Sequence, residues 1–151
     1  DVYKRQKYGV PVIQIVTQGG CHLEAQLVRD AMAELDLSRL DLLIIENVGN
    51  LVCPANYDLG EAMKVVVIST TEGDDKPLKY PGMFRNATVL VINKIDLLPY
   101  LDCNLDALKR NAFQVNPSLT VFETSCTTGA GIVRWCDWLG EMILFNQNRQ
   151  R

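Results

Sequence analysis

Residues 10–16 form an apolar, largely β-branched run that ends in Thr17-Gln18-Gly19-Gly20, the pattern of a strand entering a glycine-loosened loop. Leu23, Leu27, Ala31 and Leu35 then recur every four residues, which predicts a helix over about 22–35 with one apolar face. Residues 40–45 are a short apolar run between polar neighbours and are predicted to be a buried strand. Runs at 63–69, 88–93 and 119–123 have the length and β-branched content of strands in a sheet covered on both faces. Helices are predicted over about 104–114 and 131–146, the second with Ile132, Val133, Cys136, Leu139 and Ile143 on one face and Cys136 in the core. Strands alternating with helices imply right-handed crossovers. The expected fold class is therefore α/β, a doubly wound, mostly parallel sheet with helices on both faces.

Composition narrows the function classes. At 151 residues and 48% hydrophobic content the chain has the size of one domain and enough apolar material for a core. A net charge of −3 with 22% charged residues offers no basic stripe, so no nucleic acid is expected as a partner. No apolar run approaches the ~20 residues that cross a bilayer, and the first residues lack the order of a secretory signal. No membrane association is expected, and the cytoplasm is the expected compartment. Five cysteines, at 21, 53, 103, 126 and 136, are odd in number and scattered, which points to reduced thiols rather than a disulfide framework. With no initiating Met and an apolar strand starting so early, the chain reads as a fragment. Residues 1–6 are expected to be non-native to the fold or disordered, 7–146 to be the carboxy-terminal two-thirds of a single domain, and 147–151 a tail.

In such sheets ligands bind beyond the carboxyl ends of the strands, and three strand ends are distinctive. After 88–92 comes Asn93-Lys94-Ile95-Asp96. A carboxylate at Asp96 can accept from both N1–H and the exocyclic amine of guanine, the Lys94 stem can cover the ring, and Asn93 can tie neighbouring loops. Adenine lacks that donor pair, and an unmatched buried carboxylate costs on the order of 1–3 kcal/mol. The plainer reading is a polar turn, since a four-residue pattern with one free position arises by chance. Residues 119–123 lead into Thr124-Ser125-Cys126-Thr127-Thr128-Gly129-Ala130-Gly131, where the backbone at Ser125 and Cys126 would support the base from its other side. Residues 40–45 lead into Glu46-Asn47-Val48-Gly49-Asn50. Here Glu46 would act on Mg²⁺ and Gly49 would let a backbone N–H approach a γ-phosphate; alone, the segment reads more readily as a glycine turn with a solvated glutamate.

A second chemistry is suggested by Cys21-His22, placed where the first loop turns into the first predicted helix, and by Cys53-Pro54. Thiolate with imidazole suits Zn²⁺ or Ni²⁺, and a helix amino terminus would stabilise the thiolate. Three ligands leave a tetrahedral site open, to be completed by water or by a second copy of the chain. The alternative is a buried cysteine beside the chain's single histidine, acting as a helix cap. Cys103 has no evident partner.

Four segments together carry a resemblance: Gly20-Cys21-His22-Leu23, Glu46 through Pro54, Glu72-Gly73-Asp74-Asp75-Lys76-Pro77-Leu78-Lys79-Tyr80-Pro81 and Asn93-Lys94-Ile95-Asp96-Leu97-Leu98-Pro99-Tyr100. The chain resembles the hydrogenase nickel-incorporation GTPases of the HypB family from about residue 8 to 145. That resemblance implies a P-loop NTPase fold, amino-terminally truncated here, that binds GTP or GDP and Mg²⁺. It implies a homodimer built at a nucleotide and metal interface, and hydrogenase maturation proteins as partners. It places Ni²⁺ or Zn²⁺ on Cys21, His22 and Cys53, the switch carboxylate near Mg²⁺ at Glu46, and base contacts at Lys94 and Asp96. The family's glycine-rich phosphate loop ending in Lys and Ser or Thr does not occur in these residues. Nor do an amino-terminal cysteine motif or a histidine-rich stretch, and Gln18 stands where a glycine is common, which would stiffen the loop to Cys21. Because the phosphate loop supplies much of the catalytic electrostatics, the intact protein is expected to be a GTPase and this chain alone weak or inactive. The alternatives are a urease-type nickel GTPase, whose usual Cys-Pro-His arrangement differs from the separate Cys-His and Cys-Pro here, and a non-hydrolytic metal-binding or interaction module.

Overall fold

A computed structural model of the chain describes residues 7–17 and 19–149. The expectations for residues 1–6, for Gln18 and for the last two residues lie outside the described residues. The chain divides into two compact units, Asp1–Gly60 and Glu61–Arg151.

The second unit is a parallel sheet in the order β1 (Val65–Ser69), β2 (Val89–Asn93), β3 (Thr120–Glu123). Val65 pairs with Val89 and Val89 with Thr120, and the register continues to Ser69 beside Asn93 and to Ile92 beside Glu123. Thus three strands end level with one another, which is what brings their carboxyl-end loops together. β1 connects to β2 through two short helices, α2 (Lys76–Lys79) and α3 (Pro81–Arg85), each with proline at its start, where the missing N–H costs nothing. α4 (Leu105–Val115) joins β2 to β3, and the side chain of Asn104 caps it by accepting from the Ala107 N–H. α4 packs on α2 and α3, with Phe84, Leu108 and Ala112 fully buried.

β2 is central and buried along its apolar length, as a parallel strand covered on both faces must be. Val89 and Val91 form a cluster with Phe122, against which Trp135 and Trp138 of α5 (Ile132–Arg149) pack. The two indoles stack with centroids 5.6 Å apart, and each approaches Phe122 at a steep angle. This corrects the expected apolar face of the last helix. Cys136 is exposed and Val133 is 71% exposed, because the two bulky indoles turn the helix so that their own side faces the sheet. α5 also continues through residues 147–149.

In the first unit, α1 (Ala25–Met32) is shorter than the predicted 22–35 and opens at Glu24, whose side chain makes no cap. Residues 10–16 and 40–45, both expected as strands, are not in strand conformation with a ladder partner among the described residues. Ile44 is 74% exposed and Val16 70% exposed, so the expectation that 40–45 is buried is not met. Apolar, β-branched composition favours an extended chain, but a strand exists only where another strand satisfies its backbone.

Candidate functional site

The Asn93-Lys94-Ile95-Asp96 segment lies at the carboxyl end of the sheet. Lys94 follows β2 in the left-handed region, with φ 62° and ψ 36°, the single non-glycine residue with positive φ among the described residues. That conformation costs a residue with a Cβ about 1–2 kcal/mol, so neighbours must hold it. The Thr70 hydroxyl, buried just beyond β1, donates to the Lys94 carbonyl at 2.8 Å. The Ile95 N–H donates to the Thr124 carbonyl at 3.1 Å, and the Thr124 hydroxyl donates to Asn93 Oδ1 at 3.3 Å. Residues from the ends of all three strands therefore fix the Asn93-Lys94 turn.

Asp96 follows in the 3₁₀ segment Ile95–Tyr100. Its Oδ1 is buried and has no hydrogen-bond partner. A buried carboxylate oxygen without a donor is costly and is a feature that a ligand resolves. The loop after β3 begins at Thr124, whose carbonyl accepts from the Ile95 N–H. Ser125, fully buried, braces that loop: its N–H donates to the Ala130 carbonyl at 2.9 Å, and its Oγ accepts from the Thr128 N–H at 3.1 Å. Cys126 lies exposed at the turn. Gly131 closes the loop at φ 71°, where an added Cβ would lie 1.9 Å from the Glu123 carbonyl oxygen.

The thiol and imidazole groups lie in the first unit. Cys21 and His22 sit in a turn ahead of the Glu24 cap, not in the first turn of α1, so the expected support from the helix amino terminus is absent. The His22 ring stacks on Tyr57 with centroids 3.6 Å apart and planes 16° apart, leaving Nδ1 3.6 Å from Cys21 Sγ. A tetrahedral ion bound at ~2.3 Å by sulfur and ~2.05 Å by nitrogen holds the two ~3.5 Å apart, so this pair already has the spacing of two ligands. Cys53 opens the 3₁₀ segment Cys53–Asn56. A hydrogen bond with the Cys21 thiol, and then burial, push the Cys53 thiol above its ordinary pKa. Cys21 thus meets His22 and Cys53 pairwise, but among the described residues no three donors are gathered into one coordination sphere. Glu46 and Gly49 are exposed. Cys103, in the second unit, is a half-buried thiol raised by burial and by the nearby Asp74 and Asp102 charges.

The residues that the motif reading passed over are the ones that hold the motifs in place. Thr70 was signalled by Ser69-Thr70-Thr71-Glu72, a capping-box pattern in which Glu72 accepts from the Ser69 N–H at 2.9 Å. Asn47 and Asn50 carried the turn-forming signal of asparagine near glycine. Asn47 Oδ1 accepts from the Leu23 N–H at 3.1 Å, and Asn50 Nδ2 donates to the Cys21 carbonyl at 2.7 Å.

Residues 2–123 match the CobW/HypB/UreG nucleotide-binding domain. The chain belongs to the CobW/HypB/UreG family. Within that family it is 49% identical over 139 residues to the hydrogenase maturation factor HypB of Escherichia coli K12, covering 92% of this chain and 48% of that protein. It is 40% identical over 143 residues to the hydrogenase/urease maturation factor HypB of Helicobacter hepaticus, covering 92% of this chain and 59% of the relative. The crystal structure of Helicobacter pylori HypB in complex with nickel superposes with a TM-score of 0.92 at 38% identity, over 96% of this chain and 69% of that one. HypB from Archaeoglobus fulgidus superposes with a TM-score of 0.87 at 39% identity, over 93% and 69% of the two chains. The fold class expected from the alternation of strands and helices is that of these CobW/HypB/UreG structures. The chain spans about half the length of the E. coli relative.

Proposed function

We propose that the protein to which these residues belong is a GTP-binding nickel metallochaperone that couples GTP hydrolysis to nickel insertion during [NiFe]-hydrogenase maturation. The observation that carries the nucleotide half is Asp96 Oδ1, buried and without a donor, beside a turn that three strand ends hold in a strained conformation. Guanine brings the two N–H groups this carboxylate lacks. The nickel half is supported by the Cys21 and His22 spacing, by the hydrogen bonds of Asn50 to the backbones of both Cys21 and Cys53, and by the likeness to a nickel-bound relative.

Glu46 is the residue that would take Mg²⁺, a hard cation suited to an exposed carboxylate and water; bound there, Mg²⁺ would neutralise phosphate charge. Gly49 leaves open space where a side chain would stand, which suits a backbone N–H that a γ-phosphate approaches. No phosphate loop occurs in these residues, so the 151-residue chain is expected to release phosphate slowly or not at all. Since no three donors gather among the described residues, a second copy would supply the remaining nickel ligands, and Zn²⁺ would compete for the same soft donors. Partners would be hydrogenase maturation proteins, in the cytoplasm; no helix of the described residues is long and apolar enough to cross a membrane.

The test is nucleotide binding by the full-length protein. GDP should bind at least ~100-fold more tightly than ADP, and Asp96→Ala should remove most of that preference. Equal binding of GDP and ADP would refute the reading. A relative named for both hydrogenase and urease maturation keeps a urease-type acceptor as the second reading of where the nickel goes.

A further inference from the structure

Cys21 and Cys53 are 32 positions apart in sequence, yet one side chain holds the backbone of both. Asn50 Nδ2 donates to the Cys21 carbonyl at 2.7 Å, while its Oδ1 accepts from the Cys53 N–H at 2.8 Å and from the Val52 N–H at 3.0 Å. Every polar atom of the amide is therefore engaged, with donor and acceptor turned toward different cysteines. Asn47 adds a second hold on the same turn, with its Oδ1 accepting from the Leu23 N–H at 3.1 Å and from the Val48 N–H at 2.8 Å. His22 is thus bracketed: the residue before it is held by Asn50 and the residue after it by Asn47.

Neither contact exists for local folding alone. An asparagine that only caps the 3₁₀ turn at Cys53 needs its oxygen and not its amide nitrogen. The amide nitrogen reaches back 29 residues to Cys21. The imidazole is held on its face as well, by Tyr57, so the Cys21-His22 pair is fixed from both the backbone and the ring side.

We propose that Asn50 is the positioning residue of the metal site: it sets the spacing of Cys21 and Cys53 by holding the backbone of both. This inference rests on the reading of Cys21, His22 and Cys53 as nickel ligands. Outer-shell hydrogen bonds of this kind orient ligands, and their loss typically costs ~10–100-fold in metal affinity. Asn50 touches no metal itself; its effect passes through the two cysteine backbones.

The test uses Ni²⁺ alone, titrated into the full-length protein against a chelator, with the thiolate-to-nickel charge-transfer absorption recorded alongside GDP affinity. Asn50→Ala should lower Ni²⁺ affinity ~10–100-fold and weaken or shift the charge-transfer band, with GDP affinity unchanged within about twofold. Asn50→Asp keeps the oxygen that accepts from Cys53 but loses the donor to Cys21. It should fold like the parent by thermal melting and still lose affinity, so it decides the matter if Asn50→Ala is unstable. Asn50 variants with parental affinity and spectrum, in a protein where Cys21→Ala and Cys53→Ala abolish binding, would overturn the positioning role alone. Cysteine variants that bind Ni²⁺ like the parent would overturn the nickel-site reading and this inference with it.

Discussion

The Thr70 hydroxyl donates to the carbonyl of Lys94 across 2.8 Å, joining the end of β1 to the one non-glycine residue in the left-handed region among the described residues. Lys94 is itself a proposed base contact, and Thr70 is 1% exposed, so the bond is shielded from water. Thr70→Val keeps the shape and removes the donor. It should destabilise the fold by about 1–2 kcal/mol and weaken GDP binding by roughly tenfold, because Lys94 loses the contact that holds its turn. Chemical denaturation and GDP calorimetry on the same variant measure both effects. A variant with parental GDP affinity would show that the turn holds itself.

Gly131 makes a different demand. At φ 71° and with an added Cβ 1.9 Å from the Glu123 carbonyl, Gly131→Ala meets strain and a backbone clash together. The expected loss is on the order of 3 kcal/mol, read as a melting temperature lower by roughly 10 °C. Gly129→Ala, also at positive φ but with nothing within 4 Å, should cost markedly less. Equal losses at the two positions would mean that the clash is relieved by movement of the loop.

Asp96→Asn tests base recognition by exchange of donors. An amide presents an N–H where the carboxylate presented only oxygen, which mismatches the guanine amine and matches the carbonyl that xanthine carries at that position. GDP affinity should fall by about 10–100-fold and xanthosine diphosphate affinity should rise. Loss of GDP without gain of the xanthine nucleotide would place the base elsewhere.

The sequence motifs and the structure agree where a pattern is self-sufficient. β1, β2 and β3 were legible because each apolar run finds a parallel neighbour, and the turn at residues 93–96 was legible because it directly follows β2. Residues 10–16 and 40–45 were misjudged for a physical reason: composition reports a preference for extended backbone, whereas a ladder needs a partner strand. An equal weight on every apolar residue of the last helix turns Cys136 inward, whereas Trp135 and Trp138 decide its orientation by bulk. Thr70, Thr124, Asn47 and Asn50 escaped because their contacts span 24 to 31 positions, and no local pattern reports where a side chain lands after the chain turns back.

Lys109 bridges α4 to the end of β3, with Nζ 2.9 Å from Glu123 and 3.2 Å from Asp106. The hydrogen bonds to Glu123 and then Asp106 raise its pKa. A raised folded pKa means that its stabilising contribution is complete below the ordinary lysine value near ~10.4 and disappears as pH rises through the higher folded value. The stability difference between the parent and Lys109→Met should therefore be constant from about pH 6 to 9 and shrink above about pH 10.5. Melting temperatures across that range check this, and a difference that vanishes by about pH 8 would be inconsistent with it.

Coupling of GTP hydrolysis to nickel insertion requires that nickel affinity follow the nucleotide state. Titration of Ni²⁺ into the full-length protein loaded with GDP, and again with a non-hydrolysable GTP analogue, measures it directly. The affinities should differ by about 5–150-fold between the two states. Equal affinities in the two states would rule the coupling out.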